Sequence, residues 1–250
     1  MTLLQIMEVL GIDFGGTGIK GAPINTVNAN LLAERVRFET PQPSTPEAVA
    51  ATIKELVDHF NWKGKVGVGF PSVVQNGVVH SAANIDKTWI GIKVDELLSA
   101  KTGCEVHTVN DADAAGMAEL YHGAGKNYKG IVMLLTIGTG IGTAFFVNGE
   151  LFPNTELGHL QFKGETVEKY ASDAVRKKLD LPWKKWGMRV NEALTYYEKM
   201  FCPDLFIIGG GASKRLDKIQ EFITIKTPVV PAQLQNNAGL IGAAMFASKK

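Results

Sequence analysis

Cysteine is nearly missing from this chain: its 250 residues include only Cys104 and Cys202, too few for a disulfide framework or a four-thiolate zinc site. That points to a reducing compartment. An excess of charge of one sign is missing too, with 26 Lys and Arg against 25 Asp and Glu, so no global field draws the chain to nucleic acid or an anionic membrane. No apolar run approaches the roughly eighteen residues of a membrane span, and the opening MTLLQIMEVLGID has no basic stretch ahead of its apolar residues, as a secretory leader would have. We expect a cytoplasmic protein with neither nucleic-acid nor membrane partners. At 45% hydrophobic and 20% charged the composition is that of an ordinary globular protein with one large core or two modest ones.

Glycine is abundant, and its placement is informative. The stretch GIDFGGTGIKG, Gly11 to Gly21, satisfies the G-x-G-x-x-G spacing of a dinucleotide-binding turn. That motif must open a helix. Here the chain continues APINTVNANLLAERVRF, with Pro23 and three asparagines among short β-compatible pieces, so the glycines are better read as the turn of a β-hairpin. In such a turn the absent side chains let backbone N–H groups approach an anion, although a glycine cluster alone can equally be just a tight turn. A second copy follows: IVMLLTIGTGIGTAFFVNGEL, Ile131 to Leu151, again sets an apolar strand before a glycine turn and a second strand. The chain looks internally duplicated. Two such hairpins suit one phosphate chain lying in a cleft between two domains.

The remaining pattern alternates strands and helices, as in an α/β protein. Thr45 caps a helix with Pro46 in its first position and Val49, Ala50, Ile53, Leu56, Val57 and Phe60 on one face. KVGVGFPSVVQNGVVHS and CEVHTVN supply strands, and a helix capped by Asn110 runs to Gly123. Helices are expected at about 166–179, 190–201 and 213–222, strands at DLFIIGGG and TPVV, and a terminal helix over 237–250. The expected domains are residues 1–112, joined by the helix 237–250, and residues 113–236.

Two acids carry chemical interest. Asp111 stands where a strand ends and a helix begins, a position that projects a side chain into a crevice at the carboxyl end of a sheet. As first-turn acids, Asp111 and Asp113 can also simply complement the helix dipole. Asp13 lies within an apolar strand, where a carboxylate needs a partner. A Mg²⁺ carrying phosphates is one such partner and Lys20 is the other.

Taken in order, GIDFGGTGIKG, VNDADAAGMAE, TIGTGIG, NTELGH and IIGGGAS resemble the ROK family of sugar kinases (repressor, open reading frame, kinase), over nearly the whole chain. The resemblance implies the two-domain hexokinase/actin-like ATPase fold, related to ribonuclease H, with an interdomain cleft. Within the family, the compact length and the stretches PWKKWGMRVN and TPVVPAQLQNNAGLIGAA look most like the polyphosphate glucokinases.

Carried over residue by residue, the resemblance makes Asp111 the general base and sets Asn110 beside the sugar. Asn84, Glu156, His159 and Glu168 match positions that hydrogen-bond sugar hydroxyls. Gly15, Gly16, Thr17 and Lys20 match the first phosphate segment, Thr136, Gly138, Thr139 and Gly140 the second, and Gly209, Gly210 and Gly211 the adenosine segment. Asp13 matches the Mg²⁺ position. The implied activity is transfer of a phosphoryl group from polyphosphate or ATP to the 6-hydroxyl of glucose, by a homodimer.

One departure stands out. Many members carry a cysteine-rich zinc loop after the Gly-His pair, whereas GHLQFKGETVEKYAS has no cysteine, so no structural zinc is expected. A ROK repressor would need a helix-turn-helix, for which the ten or so residues before the first hairpin leave no room. The alternatives are an ATP-dependent hexokinase for another hexose such as mannose and, further off, a non-catalytic actin-like nucleotide switch. Polyphosphate wants a basic track, for which Lys126, Lys129, Lys184, Lys185, Lys214 and Arg215 are candidates, although such a scatter is more often a solvated face.

Overall fold

The computed structural model describes residues 8–250; the reading of the first seven residues lies outside them. The chain forms two compact α/β units, one running to Ala118 and rejoined by Asn237–Lys250, the other Glu119–Asn236. The division falls within the helix Asp111–His122.

In the first unit, β1 (Glu8–Phe14) and β2 (Gly18–Asn25) make an antiparallel hairpin in which Asp13 lies opposite Lys20. The segment after the first glycine turn is therefore a strand. β3 (Asn30–Leu31) and β4 (Val36–Glu39) both pair with β2. β5 (Val66–Phe70) runs parallel to β1; beyond the small ribbon of β6 (Val74–Gln75) and β7 (Val78–Val79), β8 (Val106–Asn110) runs parallel to β5. Every residue of β5 is buried, as expected of a parallel strand covered on both faces.

The helices follow from local chemistry. In α1 (Pro46–His59) the Thr45 hydroxyl accepts the Ala48 N–H at 3.4 Å and proline fills the first turn. Its buried Val49, Ile53, Leu56 and Val57 join the core of β1 and β5, each contributing about 1.5–3 kcal/mol by leaving water. α2 (Val94–Thr102) adds Leu98 and ends on Gly103 in the left-handed conformation. The terminal helix Ala238–Ser248 packs directly on sheet backbone: a Cβ at Gly11 would lie 2.1 Å from the Leu240 carbonyl oxygen, and one at Gly67 1.9 Å from that of Ala243. Only glycine fits there.

α3 (Asp111–His122) follows β8 directly. In the second unit β9 (Ile131–Ile137), β10 (Ile141–Val147) and β11 (Glu150–Phe152) are antiparallel neighbours. β12 (Gln161–Phe162) and β13 (Glu165–Thr166) form a ribbon, after which come α4 (Val167–Ala171), α5 (Asp173–Lys178) and α6 (Trp183–Phe201). β14 (Leu205–Gly209) runs parallel to β9 and β15 (Val229–Pro231) parallel to β14. The order β11-β10-β9-β14-β15 repeats β3-β2-β1-β5-β8 of the first unit, so the duplication seen in the glycine hairpins extends to whole sheets. Trp186, Val190, Leu194 and Tyr197 of α6 meet Met133, Leu135, Phe206 and Ile208 in the core.

Three expected elements differ. The helix over 166–179 is two helices, because Ser172 takes an extended conformation (φ −65°, ψ 158°) and its hydroxyl accepts the Val175 N–H, the local competition that serine offers a helix backbone. The helix over 190–201 begins at Trp183, and Gly187 within it is buried where a Cβ would lie 2.8 Å from Phe222. The segment 213–222 is 3₁₀-helical, Gly210–Lys218 and then Gln220–Phe222. Among the described residues no helix is long and apolar enough to cross a membrane.

Candidate active site

In the first unit the turn Gly15–Gly18 is closed by two backbone hydrogen bonds, Gly15 N–H to Gly18 C=O at 3.1 Å and Gly18 N–H to Gly15 C=O at 3.4 Å. Gly16 and Thr17 are exposed, and a Cβ on Gly16 would meet nothing within 4 Å. The turn is open for an anion. Sequence reasoning missed Arg37 of β4, whose guanidinium donates to the Thr17 carbonyl and lies over Gly18, where a Cβ would displace it. Its signal lay only in the register that sets Arg37 opposite Lys20.

Asp13 Oδ2 lies 3.2 Å from Lys20 Nζ, with both side chains partly exposed. Lys20 is thus within ion-pair reach of Asp13. The other carboxylate oxygen faces Gly239, where a Cβ would lie 3.0 Å from it; the missing side chain keeps that face clear. One carboxylate with waters and donor phosphates is a usual Mg²⁺ environment, so Asp13 fits the ion.

Asn110 is the cap of α3. Its Oδ1 accepts the N–H groups of Ala112 (2.9 Å) and Asp113 (3.1 Å), while its Nδ2 donates to the Ser72 carbonyl at 3.1 Å. Little of its polarity remains for a sugar beyond one amide hydrogen. The same contact ties Asn110 to the segment ahead of Asn84, since Ser72 is bonded to Ser81; Asn84 itself is exposed. Asp111, half-buried, opens the helix beside it.

In the second unit, three residues of the stretch 156–168 converge. His159 sits between two carboxylates, its Nε2 3.5 Å from Glu156 Oε2 and its Nδ1 3.5 Å from Glu168 Oε1. Glu156 and His159 meet within one turn, and packing of α4 brings Glu168 to them. The turn Leu157–His159 is seated by Gly158, where a Cβ would lie 2.0 Å from the Ile141 carbonyl oxygen, and by the buried Tyr197 hydroxyl donating to the Leu157 carbonyl at 2.9 Å. Burial pushes the Glu156 carboxyl above its ordinary range, with His159 pulling it back and Glu168 adding to the rise. Glu168 lies in the first turn of α4, capped by Thr166. It also reaches the second glycine turn, since a Cβ on Gly140 would lie 2.6 Å from its Oε2.

That second turn is closed by Gly138 N–H to Gly140 C=O at 3.0 Å, and the Gly138 carbonyl accepts the Ala174 N–H of α5. Thr139 is exposed and Gly138 is open. Gly209 pairs with Thr136 across β14 and β9, and Gly210, at φ +67°, packs so closely on Ile137 that a Cβ would lie 2.7 Å from its carbonyl oxygen. Thr136, Gly138–Gly140 and Gly209–Gly211 thus gather at the same end of this sheet. Among the described residues no group of three or more His, Cys, Asp or Glu is arranged to hold a metal ion.

Two repeats of a glycine-turned hairpin continued by parallel strands define the actin-like ATPase fold. The chain belongs to the ROK family, whose sequence profile matches residues 9–178. It is 50% identical to a polyphosphate glucokinase of Mycobacterium tuberculosis over 94% of this chain and 89% of that protein. The crystal structure of an inorganic polyphosphate/ATP-glucomannokinase from Arthrobacter sp. strain KM superposes with a TM-score of 0.92 at 45% identity, covering 97% of this chain and 98% of that one. A ROK glucokinase from Streptomyces griseus, solved with glucose and AMPPNP, shares the fold at 23% identity, with a TM-score of 0.82 over 98% and 100% of the two chains.

Proposed function

We propose that this protein is a glucokinase that transfers a phosphoryl group from inorganic polyphosphate or ATP to the 6-hydroxyl of glucose. The observation that carries the reading is the Glu156–His159–Glu168 cluster abutting a glycine turn at Gly140. It sets acceptors for sugar hydroxyls beside backbone suited to phosphate. The polyphosphate glucokinase of M. tuberculosis, at 50% identity over nearly the whole chain, supports both substrates. A nucleotide switch has no need of such a cluster.

In this reading Asp111 accepts the proton of the 6-hydroxyl as its oxygen bonds to the terminal phosphorus, and the bond to the bridging oxygen breaks, leaving ADP or a polyphosphate one unit shorter. Asn84, Asn110, Glu156, His159 and Glu168 orient the sugar. Gly15, Gly16, Thr17 and Lys20 in one turn, Thr136, Gly138, Thr139 and Gly140 in the other, and Gly209–Gly211 cradle the donor. Mg²⁺ held at Asp13 would supply neutralisation of phosphate charge. Phosphoryl transfer needs little covalent help, so positioning and charge stabilisation account for most of the acceleration.

A second reading, in which mannose is also an acceptor, is favoured by the glucomannokinase from Arthrobacter. Initial rates with glucose or mannose against ATP or polyphosphate test both, and no phosphorylation of either sugar by either donor would overturn the assignment. The family resemblance further supports a homodimer, to be read by sedimentation, and the scarcity of cysteine supports a cytoplasmic location.

A further inference from the structure

Around Trp183, at the start of α6, three cations gather on one indole. The Arg176 guanidinium carbon lies 4.3 Å from the ring centroid, Lys218 Nζ 4.9 Å and the Arg215 guanidinium carbon 5.5 Å, all within cation–π range. Like charges repel, so such a gathering calls for an anion. Asp173 serves Arg176 at 2.7 Å and Lys177 at 2.8 Å. Among the described residues neither Arg215 nor Lys218 has an ion-pair partner, and both are exposed.

The chain's path connects this cluster to the donor segments. α5, which carries Arg176, is tied at Ala174 to the Gly138 carbonyl of the second glycine turn. The 3₁₀ helix that carries Arg215 and Lys218 starts at Gly210, packed against Ile137 at the end of the same strand. Two arms therefore leave the phosphate turn and meet again over Trp183. At a rise of about 2.0 Å per residue, Arg215 and Lys218 lie roughly 10 and 16 Å along the 3₁₀ helix from Gly210. Of the lysines and arginines singled out from sequence, only Arg215 belongs to this group; Arg176 and Lys218 escaped notice because no local pattern links them.

We propose that Arg176, Arg215 and Lys218, arrayed on Trp183, anchor the length of an inorganic polyphosphate chain that extends beyond its reacting end. This rests on the donor assignment above. The rigid indole holds the cations side by side, and the donors of Arg215 and Lys218, free of ion pairs among the described residues, match the closely spaced charges of a linear polyanion. ATP ends instead in a neutral base and has nothing to set against Arg215 and Lys218. The cluster thus favours long-chain polyphosphate over ATP.

The test is the double variant Arg215→Ala/Lys218→Ala, with Arg215→Lys/Lys218→Arg as the charge-conserving control. We expect KM for long-chain polyphosphate to rise about tenfold and to depend less steeply on salt, because fewer ionic contacts are made. KM for ATP and for glucose should stay within twofold, and the control should restore most of the polyphosphate affinity. An unchanged polyphosphate KM, or an equal rise for ATP as expected if Trp183 stacks an adenine, overturns the proposal. Titrating polyphosphate without glucose, by tryptophan emission, separates this outcome from failure of the donor assignment. If the wild-type protein does not turn over polyphosphate, the donor assignment fails, and the anchor stands only if binding is seen and the double variant weakens it.

Discussion

In the first unit the turn Gly15–Gly18 lies beside the Arg37 guanidinium and the Asp13–Lys20 pair, whereas in the second the turn Gly138–Gly140 lies beside the Glu168 carboxylate and the Ala174 amide of α5. The strands that hold the two turns pair in the same order and the same senses. The backbone was reused while the neighbours diverged: one turn is flanked by a guanidinium and a Lys–Asp pair, the other by a carboxylate and a helix amide. A fold of this kind sets where a site can be, and a few side chains decide its chemistry.

The comparison breaks hardest at Asp111, the one proposed proton acceptor. Asp111→Asn should lower kcat by roughly 10²- to 10⁴-fold while leaving glucose binding by equilibrium titration close to normal; near-normal turnover would make Asp111 a helix-end acid only. Next comes Glu168→Gln, which keeps the shape but loses a charge-assisted hydrogen bond of about 1.5–3 kcal/mol. Glucose kcat/KM should fall roughly ten- to a hundredfold with the melting temperature nearly unchanged. If only stability moved, the carboxylate would be serving the α4 dipole.

The two turns can also be set against each other. Gly16 stands in open space, so Gly16→Val should fold normally and raise the donor KM about tenfold, ~1.4 kcal/mol, with the glucose KM unaffected. An unaltered donor KM would remove the first turn from the donor site. The smallest effect concerns Glu156, whose folded-state pKa lies above the ordinary 4.5. Its contribution to stability is full below the unfolded value and is lost as pH rises through the folded one. Glu156→Gln escapes that loss, so the melting temperature of the variant relative to wild type should be higher at pH 7 than at pH 4; a constant difference would refute the shift.

The hairpins, the capped helix α1 and the alternation of elements were legible because each depends on a few consecutive residues: glycines that permit a turn, Thr45 and Pro46 that start a helix, and runs such as VGVGF that suit a buried strand. α6 begins at Trp183, ahead of the expected start at 190, and Gly187 within it is held by Phe222 and Ile219 packed over it. The Ser172 break was missed because serine is an ordinary residue inside an amphipathic run.

By itself, then, the sequence determined the two glycine turns, the α/β alternation and the motifs that mark a ROK protein, all properties of short stretches whose backbone preferences act locally. Only the tertiary structure decided that Asn110 spends most of its amide capping α3 and bonding Ser72, that Glu168 meets His159, and that Arg176, Arg215 and Lys218 share Trp183. The contacts of Glu168 with His159 and of the three cations with Trp183 join side chains on different elements, and their distances follow from how those elements pack, whereas Glu156 and His159 lie three residues apart in one turn.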